Sequence, residues 1–207
     1  MRKIFRFIPL VLTALLAVSC EKDPDWDELD SDYTVYTDYD SDTRFGEFST
    51  YYLPEYILLP GSSLSSREWE GESADIILDE IAYGMDSRGY VQTHDKDNAD
   101  IGLQVTYLEQ SYVISYYGWW DYGFWGPYWS GWYYPYPMIY SYDTGTLIIE
   151  MVDLTESGDR DNRHSLPVVW YAAAEGLQYG NSRINMQLTL RAIEQAFAQS
   201  PYLLSNQ

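Results

Sequence analysis

The chain has 207 residues, with 12 basic against 32 acidic side chains and a formal net charge of −20. Such an excess of acid repels polyphosphate and anionic lipid surfaces, so nucleic acid is excluded as a ligand. A single cysteine, Cys20, excludes an intramolecular disulfide, and the fold must rest on its core.

Arg2, Lys3 and Arg6 place three positive charges at the N-terminus, and an apolar stretch follows over residues 7–18. A membrane-spanning helix needs about 20 apolar residues. The shorter stretch matches an export signal with a basic n-region and a short apolar core. It ends Leu16-Ala17-Val18-Ser19-Cys20, similar to the bacterial lipobox, in which small residues precede a cysteine that accepts diacylglycerol. Residues 1–19 are therefore expected to be a lipoprotein signal peptide and Cys20 the lipidation site. One acyl chain holds a protein to a bilayer marginally and two or more hold it firmly. The expected location is the cell envelope, lipid-anchored at the outer membrane on its periplasmic or surface face.

Residues 20–43 are dense in aspartate and glutamate. Like charges at this density extend a chain and keep it solvated, which predicts a tether. Cys20-Glu21-Lys22-Asp23 is also similar to the lysine-plus-acid pattern that sorts lipoproteins of Bacteroidetes to the cell surface.

Residues 44–207 have the length of one domain. Residues 45–52 and 56–59 read as extended, broken at Pro54, and 61–66 as a polar loop. A helix is predicted over 73–87, where Ile77, Ile81 and Met85 recur every four residues and Ile76, Leu78 and Ala82 widen the stripe. Gly89 is its expected stop. A short strand at 90–93 and a turn at 95–100 follow. Ile101, Leu103, Val105 and Tyr107 alternate with Gly102, Gln104 and Thr106, the period-two pattern of a half-buried strand. A second long strand alternates Leu147, Ile149 and Met151 with Ile148, Glu150 and Val152. A charged loop is expected at 157–166, ending at Pro167, and then a third strand at 168–174. The last helix begins near Ser182, with Met186, Leu190, Ile193 and Phe197 in one stripe. Strand-to-strand connections dominate the second half. That order predicts an α+β fold: an antiparallel or mixed sheet of about four to five strands with two helices packed on one face.

Residues 116–142 hold five of the eight tryptophans, Trp119, Trp120, Trp125, Trp129 and Trp132, among tyrosines, glycines and prolines. Glycine and proline rule out a regular helix through the middle, so an aromatic-rich loop or irregular hairpin is expected. Three readings compete. The rings could pack on each other and on the sheet. They could form a binding surface for sugar rings or a protein partner. They could insert into a membrane interface, although no lysine or arginine is present to meet anionic headgroups.

The residues of known chemistries are sparse. His94 and His164 are the two histidines, and Cys20 is committed to lipid, so no metal centre and no cofactor are expected. Residues 94–100 are faintly similar to a calcium loop. Ala99 and Asp100, however, stand where an EF-hand wants a ligand and then glycine, and a solvated turn is expected. His164 near Asp159 and Asp161 reads as a solvated cluster. No Gly-x-Ser-x-Gly elbow and no phosphate-cradling glycine loop is present. Acids are so numerous that no carboxylate pair of the kind that hydrolyses glycosides stands out. An enzyme is not expected.

Several short motifs carry a family resemblance over residues 33–202. They are Tyr36-Thr37-Asp38-Tyr39-Asp40 with Phe45-Gly46-Glu47-Phe48-Ser49-Thr50-Tyr51-Tyr52, Arg88-Gly89-Tyr90, and Ala99-Asp100-Ile101-Gly102-Leu103-Gln104-Val105-Thr106-Tyr107. Further along come Thr144-Gly145-Thr146-Leu147-Ile148-Ile149-Glu150-Met151-Val152-Asp153, Leu166-Pro167-Val168-Val169-Trp170, and Phe197-Ala198-Gln199-Ser200-Pro201-Tyr202. Together they resemble a family of Gram-negative, Bacteroidetes-type envelope lipoproteins catalogued as a domain of unknown function. The resemblance implies no activity and no catalytic residues. The expected role is a membrane-anchored, non-enzymatic structural or protein-interaction module. The alternative is a glycan-binding surface on Trp119, Trp120, Trp125, Trp129 and Trp132. Expected partners are the membrane, through the N-terminal lipid, and an envelope protein or glycan.

Overall fold

The computed structural model describes residues 33–59, 67–109, 112–115, 132–133, 139–142, 145–155, 158–160, 163–178 and 183–206; at 67, 112–115, 132–133, 139–142, 158–160 and 163–165 it describes the backbone alone. In chain order the elements are β1 (Thr34–Tyr39), β2 (Thr50–Tyr52), β3 (Ile57–Leu59), β4 (Arg67–Trp69), α1 (Glu72–Asp86), β5 (Val91–Gln92) and β6 (Ile101–Leu108). Then follow β7 (Tyr112–Ser115), β8 (Trp132–Tyr133), β9 (Ile139–Tyr142), β10 (Thr146–Asp153), β11 (Gly158–Arg160), β12 (Arg163–Glu175) and α2 (Met186–Ala198).

The α+β class and the mixed sheet are as expected, but the sheet is larger than four to five strands. Its main path runs β1-β12-β10-β6-β2-β5, and β3 joins β6 with β4 as its hairpin partner. The β1, β12, β10 and β6 pairings are antiparallel, whereas β2 and β3 lie parallel to β6. Apart from β1, the extra strands β4, β8 and β11 have two or three residues each, too few for a period-two pattern to register.

Three sequence expectations are corrected. Residues 34–39, assigned to the tether at 20–43, form β1, paired with β12 from Thr34↔Glu175 to Tyr39↔Trp170. The fold therefore includes 34–43, residues that the expected boundary at 44 left out. Thr34, Val35, Tyr36, Thr37 and Tyr39 are β-branched or aromatic, the residue types that suit a pleated surface, and this outweighs the flanking acids. Next, the charged loop expected at 157–166 is the β11–β12 hairpin, with Gly158↔Ser165 and Arg160↔Arg163. Pro167 then lies inside a strand. It is tolerated beside an irregularity, where Met151 faces Trp170 but Val152 faces Val168, the kind of position where strand prolines are found. Lastly, β6 is buried along its whole length, as is β10, where a half-buried strand was expected.

Helix α1 buries Ala74, Ile77, Leu78, Ile81, Gly84 and Met85, close to the predicted stripe, although Ile76 is exposed. Gly89 follows it with φ +86°, a conformation that favours glycine. Helix α2 starts later than Ser182 because Asn185 caps it, its side chain accepting from Leu188 N at 3.3 Å. Both helices share one core with Tyr51, Leu103, Val105, Tyr107, Ile149, Met151 and Trp170. Where the helices meet, Gly84 faces Phe197 so closely that a Cβ would lie 2.3 Å from the ring. Phe197 in turn stacks on Trp170 at 5.7 Å. Arg88 completes the cluster. Its guanidinium sits 4.9 Å from the Phe197 ring centre and donates to Phe197 O.

Asp100 fixes the start of β6 against β2. Its Oδ2 accepts from Ser49 N (2.8 Å), Thr50 N (3.0 Å) and Thr50 Oγ1 (3.1 Å), and its own N donates to Thr50 Oγ1 (3.1 Å). Asp100→Ala leaves those donors without an acceptor and should cost about 2–3 kcal/mol in a urea melt. Gly84→Ala is a test with an inverted sign. On an open helix, alanine is the better residue by about 1 kcal/mol. Here the methyl meets Phe197, and the change should destabilise by about 1–3 kcal/mol.

Candidate functional site

Cys20, Trp119, Trp120, Trp125 and Trp129 lie outside the described residues, as does the loop expected at 61–66. Trp132 is in β8, whose backbone pairs in parallel with β12 at Leu166↔Trp132 and Pro167↔Tyr133. The segment at 116–142 is therefore not loop throughout: its last four residues are β9, antiparallel to β7 from Tyr112↔Tyr142 to Ser115↔Ile139.

The sheet face away from the helices is the most unusual described surface. In β6, β10 and β12, alternate residues pack with the helices; the others, Gly102, Gln104, Thr106, Leu108, Ile148, Glu150, Val152, Val168, Tyr171 and Ala173, belong to the second face. All of those that carry a side chain are buried, yet none belongs to the core cluster shared with the helices. The strand register places Gln104, Glu150 and Tyr171 in one row across three strands, and Thr106, Ile148 and Ala173 in the next. Tyr36 flanks this face from β1, its ring 6.5 Å from that of Tyr171. Glu150 is fully buried. A carboxylate, an amide and a phenol thus share one buried row. In the sequence Gln104 occupies the polar half of an alternating pattern, which ordinarily signals solvent, whereas Glu150 and Tyr171 interrupt continuous apolar runs, the pattern of a strand buried on both faces.

The faint calcium loop is a turn built on its own acids. Asp95 Oδ1 accepts from Asp97 N at 3.2 Å and Asp95 Oδ2 from Asn98 Nδ2 at 2.7 Å, while Asp100 is engaged with Ser49 and Thr50. The β11–β12 register sets Asp159 opposite His164. Among the described residues no group of three His, Cys, Asp or Glu side chains converges as a metal site would require.

A small aromatic surface borders β1: Tyr39 stacks on Tyr202 at 3.8 Å, with Phe45 5.6 Å from Tyr202. Inside, three tyrosines are held protonated by burial. Tyr51 is raised by burial first and then by Asp86, to which its hydroxyl donates at 2.9 Å. Tyr90, donating to Phe45 O at 3.2 Å, is raised by burial. Tyr107 is pushed up to about 12, by burial first and then by Glu109, with Arg183 opposing. Unfolded tyrosines ionise near pH 10. The fold therefore keeps protons that the unfolded chain releases, and stability present below about pH 10 is lost as pH rises towards about 12. Urea midpoints should fall steeply between about pH 10 and about pH 12, and Tyr107→Phe should reduce that fall.

The model of the DUF4136 family, described as a domain of unknown function, matches residues 35–202. A crystal structure of a DUF4136 family protein from Bacteroides thetaiotaomicron is similar at 39% identity and TM-score 0.71, over 84% of this chain and 99% of that one. The expected resemblance to a domain of unknown function found in Bacteroidetes holds. The PelC dodecamer from Paraburkholderia phytofirmans is 13% identical, with TM-score 0.39, over 84% of this chain and 99% of that one. A PDZ domain protein from Parabacteroides distasonis is also 13% identical, with TM-score 0.41, over 82% of this chain and 36% of that one. Both scores are too low to establish a common fold. No curated protein matches the chain.

Proposed function

The chain belongs to the DUF4136 family, a domain of unknown function, and on that premise we propose that it is a lipid-anchored envelope module with a structural or protein-interaction role. The observation that carries this reading is the sequence Leu16-Ala17-Val18-Ser19-Cys20, followed by acidic chain that enters the fold at Thr34. The tether is then residues 20–33, much shorter than 20–43. An extended chain covers at most about 3.6 Å per residue, so the first strand begins within about 50 Å of the lipidated residue. No helix among the described residues is long and apolar enough to cross a membrane, and in this reading attachment depends on the lipid alone. Exposed aromatic side chains along the first strand, Tyr36 and Tyr39, suit a protein contact, since tyrosine adds area at low entropic cost.

Cys20→Ala should move the protein from the membrane fraction to the soluble fraction. Retention of the variant in the membrane would overturn the lipid anchor. A glycan-binding surface on the tryptophans at 119, 120, 125, 129 and 132 is the competing reading. Saturable binding of the purified protein on a glycan array, lost on Trp125→Ala, would replace the interaction role with that one.

A further inference from the structure

From chain reach and strand register we infer that β7 and β9 fold back over the second face of the sheet and form a third layer there, opposite the helices. The β7–β9 ladder keeps the register of β6–β10. Leu108 faces Thr146 in one and Tyr112 faces Tyr142 in the other, so the two ladders are one interrupted hairpin. Continued in line, it would carry Ile139 seven residues beyond Thr146, or about 23 Å past the end of the sheet.

The pairing of β8 excludes that course. Tyr133 is beside Pro167, which lies eight residues along β12 from Glu175 and so about 26 Å from the end where β6 finishes. An in-line hairpin would set Ile139 about 50 Å from Pro167. The six residue steps from Tyr133 to Ile139 reach at most about 22 Å. The hairpin must therefore reverse. Strands β6 and β10 are both interior to the sheet, so a reversal lays the hairpin over a face and not beside an edge. The helices occupy one face. The other is buried without them, Ile148, Glu150, Tyr171 and Ala173 included.

Gly145 stands beside the interruption between the two ladders. Its φ is +82°, and a Cβ there would lie 2.8 Å from Gln178 Cβ and 2.9 Å from Gln178 N, so no other residue fits. Its N donates to Leu108 O at 2.8 Å and its O accepts from Leu177 N at 3.1 Å, which holds it between the end of β6 and the residues just past the end of β12. Nearby, Glu109 pairs with Arg183 at 3.0 Å. The occupant of the second face is thus the chain's own hairpin. The hairpin covers the Gln104–Glu150–Tyr171 row and brings Trp132 to the end of the sheet opposite the point where β1 begins.

Hydrogen exchange on the unaltered chain tests the layer without risk to folding. Amides of 112–115 and 139–142 should be protected at least about a thousandfold, as in a packed layer. Protection below about tenfold, that of a solvated two-stranded ladder, would overturn it. Thiol labelling tests the cover. In the full chain carrying Cys20→Ser, so that the introduced thiol is the sole one, Ala173→Cys should react at least about a hundredfold more slowly than Tyr83→Cys; equal rates would overturn the inference. A diazirine-bearing leucine analogue at position 148 identifies the cover. Crosslinks to chymotryptic peptides from 112–142 are expected, and crosslinks confined to residues 1–33 would show that a different part of the chain lies there.

Discussion

The central strands β6, β10 and β12 are buried on both faces, and that double burial governs the rest of the molecule. An antiparallel sheet ordinarily covers one face and leaves the other to water. Here two covers are needed, and the chain supplies them differently. The first is a pair of amphipathic helices. The second, by inference, is an excursion of the sheet's own central hairpin, reversed at the interruption beside Gly145 and pinned through β8 to the far part of β12. The length of β12 follows from this: its thirteen residues serve β1, β10, β8 and β11 in turn.

The helical cover depends on close approach. Gly84 lets the Phe197 ring lie against α1, which sets the separation of the helices and seats Phe197 on Trp170. The indole nitrogen of Trp170 donates to Ser200 Oγ at 2.9 Å, so a large buried side chain keeps its polar atom satisfied. The C-terminal residues close the same end. Ser205 N donates to Arg88 O at 3.0 Å and Ser205 Oγ to Phe48 O at 2.9 Å. Burial of the core and satisfaction of its polar atoms are achieved by the same few residues.

The acidic character has two parts. Some carboxylates are structural: Asp95 and Asp100 hold a turn and a strand junction, and Asp153 Oδ1 accepts from Thr155 N and Thr155 Oγ1, each at 2.7 Å. These bonds are short-range and charge-assisted, the stronger kind. Others, Glu72, Asp75 and Asp79 among them, are exposed on the surface. Glu150 fits neither part. It lies in the sheet interior, and its row across β6, β10 and β12 gives the second face a polar centre under its cover.

The sequence by itself determined the two helices, the three long strands, the α+β class and the family resemblance, because each rests on a local periodicity or a short motif. Ile77, Ile81 and Met85 mark a buried helical stripe wherever they occur at that spacing. It also made Cys20 and the aromatic segment the candidate sites, on residue type alone. Tertiary structure decided what periodicity could not encode. Gln104 and Thr106 alternate like solvent-facing residues, and only a second layer makes them interior. Thr34 to Tyr39 sits among acids that read as tether, and only pairing with β12 makes it a strand. Gly145 and Gly84 are single residues whose necessity comes from Gln178 and Phe197, 33 and 113 positions away. Local pattern reports which face of an element is apolar; it cannot report what the folded chain later brings against the other face.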